Sequence, residues 1–104
     1  MPTQDATALD LLRLRVERVA AVSALTARAM KLAQAASGME MDMLRLELAI
    51  GRDPTDTKLV QELHEVRNSV ETVREAQATC ADEIAAAEED VAVLDRQIAA
   101  AKGG

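Results

Sequence analysis

From Leu59 to Ala101 the chain repeats with a period of seven. Leu59, Val66, Val73, Cys80, Ala87, Leu94 and Ala101 form one series, and Leu63, Val70, Gln77, Ile84, Val91 and Ile98 the other, with Gln77 the clearly polar member. A 3,4 spacing sustained this long lays one apolar stripe along a helix and keeps it against a partner with which it supercoils.

The partner lies in the same chain. The first half carries a stripe of its own at Leu9, Leu12, Val16 and Val19, then, after a slip in phase, at Val22, Leu25, Ala29, Leu32, Ala36, Met39, Met43, Leu46 and Ile50. Folding the chain near Asp53 sets Ile50 against Leu59, Leu46 against Leu63, Met39 against Val70, Ala29 against Cys80 and Leu25 against Ile84. Beyond the slip it sets Val19 against Val91, Val16 against Leu94, Leu12 against Ile98 and Leu9 against Ala101. The basic residues Arg13, Arg15 and Arg18 then fall beside Glu88, Glu89, Asp90 and Asp95. Exposed pairs of this kind give only a few tenths of a kcal/mol each, roughly, but together they favour this register over slipped ones.

The fold point has its own punctuation. In Gly51-Arg52-Asp53-Pro54-Thr55-Asp56 the expected roles are Gly51 just past the end of the first helix, Asp53 as N-cap of the second, Pro54 in its first position and Asp56 facing its free amides. The reading is a single helical domain over 1–104, with a helix over about 6–50, a turn at 51–54 and a helix over about 55–102. The fold class is all-α, an elongated antiparallel helical hairpin with coiled-coil packing. Each arm is on the order of 65 Å long at about 1.5 Å per residue. Two sites could break an arm: Gly38, which costs about 1 kcal/mol relative to Ala inside a helix, and Thr79 followed by Asp82, which resembles a capping pattern and would give a three-helix bundle.

Composition supports thin seams over a compact core. There is no Trp, Tyr or Phe among the 104 residues, so no large wedge is available to close a globule. The formal charge of −6 arises entirely in residues 51–104. With no aromatic platform for bases, this balance argues against nucleic acid as a partner. No stretch of about 18 apolar residues occurs, and the opening residues lack the basic and hydrophobic regions of a signal peptide, so a cytoplasmic protein with no membrane contact is expected. The lone Cys80 excludes an internal disulfide and suits a reducing compartment.

Chemistry-bearing residues are few. His64, flanked by Glu62 and Glu65, has no second His or partner Cys with which to hold a metal, and reads as a partly exposed helix residue. Cys80 occupies a seam position and reads as a small buried hydrophobe, because a nucleophile needs a base and an oxyanion site in a pocket. The carboxylates Glu88, Glu89 and Asp90 sit on a convex helix, whereas acid–base work needs a desolvated cleft. No phosphate-binding glycine loop is present. The expectation is a protein without catalytic residues, metal or cofactor, and not an enzyme.

Binding surface is better represented. Met39 and Met43 fall in the seam while Met41, Leu44 and Leu48 lie outside it, and Leu11 and Leu14 flank the stripe near the other end. Flexible thioethers beside extra leucines suit an adaptable surface, for a client or for a further copy.

The turn string Gly51-Arg52-Asp53-Pro54-Thr55-Asp56-Thr57-Lys58 resembles the first interhelical turn of the tubulin-binding cofactor A family. Leu12-Arg13-Leu14-Arg15 is similar to that family's Leu/Ile-plus-basic opening, and Ala87-Glu88-Glu89 to Val93-Leu94-Asp95 resembles part of its last helix. The resemblance implies a small cytosolic, cytoskeleton-associated chaperone that takes up β-tubulin and keeps it from aggregating before heterodimer assembly. It also implies a monomer or weak homodimer. Client contact is expected on the solvent side of the second arm, with Glu62, Arg67, Glu71 and Arg74 as candidates. The competing expectation is a coiled-coil assembly or adaptor subunit, such as a bacterial secretion stalk, an export chaperone or a small packaging subunit of a phage-like particle, acting as a homo-oligomer.

Overall fold

The computed structural model describes residues 2–103, with side chains from Thr7 onward; Met1 and Gly104, the ends of the expected domain, lie outside them. Two helices make up the fold: α1, Pro2–Arg52, and α2, Thr57–Gly103. They pack antiparallel as an all-α helical hairpin, and no strand occurs among the described residues. Neither potential break is used. α1 runs on through Gly38, and α2 runs on through Thr79 and Asp82, so the second arm is one helix and the three-helix alternative does not arise.

Contacts divide the described residues into two compact units, one formed by residues 2–28 with 80–103 and the other by residues 29–79. The second unit contains the turn. There α1 continues past Gly51, and the amide of Asp53 donates to the carbonyl of Ala49, a last helical bond. Pro54 then disfavours helical geometry at the residue before it. Asp53 accepts from the amide of Asp56, which closes a four-residue turn with Pro54 in its second position. The N-cap of α2 is Asp56, whose Oδ1 accepts from the amides of Lys58 at 3.0 Å and Leu59 at 3.4 Å. These positions correct the expectation at two points. Asp53 is a turn residue, three positions too early to cap α2, and Gly51 is helical, with no glycine among the described residues at positive φ.

The seam positions expected on α2 all turn inward. Leu63, Val70, Cys80, Ala87, Leu94 and Ile98 are buried, and Leu59, Val66, Val73, Gln77, Ile84, Val91 and Ala101 are half-buried between them. On α1 the inward positions from Val22 to Ile50 are likewise those expected, with Leu46 only 1% exposed.

Upstream of Val22 the structure departs from the expectation. The 3,4 pattern continues toward the N-terminus without a slip, through Ala8, Leu11 and Arg15, all half-buried, and Arg18. The stripe expected there faces out: Leu9 is 50%, Leu12 38%, Val16 68% and Val19 39% exposed. The reason is the continuity of α1: an uninterrupted helix carries the phase set by Val22 and Leu25 back to Ala8. In that phase Arg15 pairs with Asp95 and Arg18 with Asp90 across the helices.

Candidate partner-binding surfaces

Within the unit formed by the chain ends, one face joins two different stripes. On α1, Leu9, Leu12, Val16 and Val19 recur at 3,4 spacing one position out of phase with the seam. On α2 the flank that carries Glu88 presents Ala85, Ala92, Asp95 and Ala99 at the same spacing. A shallow groove lined by Val19, Val22, Glu88 and Val91 joins the two, so they share a side of the hairpin. The opposite side of this unit is lined by Leu14, Arg18, Asp90, Val93 and Leu94.

Charge is divided unequally between the helices here. Over residues 7–28 Arg13, Arg15, Arg18 and Arg28 outnumber Asp10 and Glu17; over residues 80–103 Asp82, Glu83, Glu88, Glu89, Asp90 and Asp95 outnumber Arg96 and Lys102. Of the basic cluster, Arg15 and Arg18 reach carboxylates on α2, whereas Arg13 has no ion-pair partner among the described residues. Glu89 pairs with Arg96 on its own helix at 3.6 Å.

In the unit that contains the turn, Met41, Leu44 and Leu48 follow one another along the outer side of α1, 67%, 51% and 57% exposed. Met39 and Met43 stay half-buried in the seam, as their spacing predicts. Glu62, Arg67, Glu71 and Arg74 are exposed on α2. Three of them come together: Arg67, Glu71 and Arg74 line a groove with Met43 and Val70, and Arg67 reaches Glu47 of α1 at 3.6 Å. Glu62 sits apart, nearer the turn, with Thr57, Lys58, Gln61 and Glu65.

The remaining candidates behave as helix residues. Cys80 is buried in the seam and its thiol donates to the carbonyl of Leu25 at 3.3 Å. His64 is exposed beside Thr57, Val60 and Gln61. Among the described residues no cluster of three or more His, Cys, Asp or Glu side chains could hold a metal ion, and no helix is long and apolar enough to cross a membrane.

No protein-family model, curated protein or solved structure matches the chain. The faces described above therefore have to be read from their own chemistry. Sequence reasoning assigned Leu9, Leu12, Val16 and Val19 to the seam. The pointer to their outward position was present in the spacing of Leu11, Arg15, Arg18 and Val22, read together with Asp90 and Asp95.

Proposed function

We propose that this chain is a non-catalytic binding protein whose helix faces engage another protein. On the resemblance at residues 51–58 we take the client to be β-tubulin, held as by a cytosolic chaperone before heterodimer assembly. One observation carries the binding reading: large apolar side chains stand outside the seam at helical spacing, as Leu9, Leu12, Val16 and Val19 in one unit and as Met41, Leu44 and Leu48 in the other. Such stripes gain free energy only when another surface covers them. Methionine adds a side chain that adapts to irregular client surfaces. Arg67, Glu71 and Arg74, gathered beside Met43, supply a polar rim of mixed sign, and Glu62 extends it toward the turn.

The test is size-exclusion chromatography with light scattering on the chain alone and mixed with tubulin, read by refractive index because the chain contains no Trp or Tyr. Co-elution with β-tubulin that is lost in Leu44→Glu/Leu48→Glu supports the reading. A defined large homo-oligomer that ignores tubulin overturns it and supports a second reading, a coiled-coil assembly subunit. That second reading has an observation of its own in its favour. The outer stripe of α1 keeps the same 3,4 spacing as the seam, which is how a helix is patterned when it packs against helices on two sides.

A further inference from the structure

We infer that the face formed by Leu9, Leu12, Val16 and Val19 of α1 with Ala85, Ala92 and Ala99 of α2 is a self-complementary dimer interface, whose occupant is a second copy of this chain. The inference rests on reading these stripes as binding faces, and adds what covers one of them.

Size complementarity is the first support. Leucine and valine project from α1, and on the same side of the hairpin α2 offers alanine at the matching spacing. Large side chains from one helix interdigitate with a row of small ones on another. Neither stripe finds this complement at home, because the two lie side by side on one face. A two-fold axis running along the hairpin and parallel to that face places α1 of one copy over α2 of the other, twice, with every neighbouring pair of helices antiparallel. The result is a four-helix bundle in which the same patch serves on both copies.

Charge gives an independent support. The stripe on α1 is edged by Arg13 and the stripe on α2 carries Glu88, neither with an ion-pair partner among the described residues; Asp95, beside Glu88, pairs with Arg15 of its own hairpin. In the α1-over-α2 arrangement the basic helix meets the acidic one. In the alternative two-fold arrangement, with α1 over α1, Arg13 would face its own copy across the axis, a like-charge juxtaposition that disfavours it. The patch draws on seven apolar side chains, three of them alanines, against the roughly 20–30 residues a side of a standard interface. The dimer is therefore a weak one, populated in proportion to concentration.

Sedimentation equilibrium over a wide concentration range tests this, with circular dichroism on every variant to establish that the helices remain. Wild type is expected to show a reversible monomer–dimer equilibrium. Val16→Glu, at a position 68% exposed in the single hairpin, is expected to weaken it at least tenfold, as is Ala92→Arg. Mixing the two variants is the decisive arm. In the mixed dimer one α1–α2 contact is wild type and the other pairs Glu at 16 with Arg at 92, so association returns. A chain that stays monomeric at every concentration, a dimer indifferent to Val16→Glu, or variants that fail to complement each other would each overturn the inference. A monomer that still binds β-tubulin sinks the dimer and leaves the chaperone reading standing; a dimer that complements as described and ignores tubulin does the reverse.

Discussion

Single residues decide most where the seam is thinnest. Leu46 is the one α1 residue that is fully buried among those described, and Leu63 and Val70 of α2 are buried in the same unit, the one that contains the turn. Truncating a leucine in such a place removes its transfer free energy and leaves a cavity, about 2–5 kcal/mol in total. Leu46→Ala is accordingly expected to lower the urea midpoint sharply, while Leu48→Ala, at a site 57% exposed, leaves it within about 0.5 kcal/mol of wild type. Equal losses at the two sites would mean that Leu48 is covered in solution. Cap residues act at the same scale. Because Asp56 Oδ1 serves the amides of Lys58 and Leu59, Asp56→Ala should cost about 1 kcal/mol. Asp53→Ala loses a side-chain bond from Thr55 Oγ1 at 3.0 Å in an exposed turn and should cost less. Chemical denaturation of the two variants side by side separates the cap from the turn residue.

At the scale of the helix, the sequence was most legible where apolar spacing alone set the outcome. Every seam position assigned to α2 from Leu59 to Ala101 turns inward, because the other faces are mostly polar or alanine, with Val60 and Val93 the large apolar exceptions. On α1 the same logic succeeded from Val22 onward. It failed over residues 8–19, where the helix is apolar on more than one side and counting hydrophobic residues cannot choose between faces. The choice is made by the continuity of the helix, which carries the phase of Val22 and Leu25 back through Arg18, Arg15 and Leu11; Asp90 and Asp95 then meet the two arginines. The turn was misjudged for a local reason: in Asp53-Pro54-Thr55-Asp56 both aspartates precede plausible first turns, and only the backbone bond from Asp53 to Ala49 shows where α1 ends. Gly38 was a proper suspect for a break, yet a helix held by its seam on both sides of one glycine tolerates it. A Cβ at Gly38 would meet nothing within 4 Å, so Gly38→Ala should stabilise α1 by about 0.5–1 kcal/mol, read as a rise in thermal midpoint by circular dichroism. A fall would mean that the position is occupied by something other than solvent.

For the whole molecule, mass action ties stability to association. If two copies pair through the faces near the chain ends, the melting temperature must climb with protein concentration, since only the folded hairpin presents the face. Val16→Glu should flatten that dependence while leaving the dilute-limit melting temperature close to wild type, because Val16 lies outside the seam. A concentration-independent melt in wild type would count against pairing. What sequence could not supply at this scale was the identity of anything bound, since a stripe of Leu and Val states how much surface needs covering and not by whom. One further consequence concerns residues 8–19. The inward set Ala8, Leu11, Arg15 and Arg18 and the outward set Leu9, Leu12, Val16 and Val19 stand one residue apart, about 100° around the same helix. Exchanging them would take a roll of about 100° over that segment, which the continuous hydrogen bonding of α1 does not permit without breaking the helix. The outward set is therefore held on display by the helix itself, and the two surface ion pairs add only slight weight to it. Neutralising Asp90 and Asp95 should accordingly leave Leu9, Leu12, Val16 and Val19 outside, so that the face stays available with both ion pairs gone.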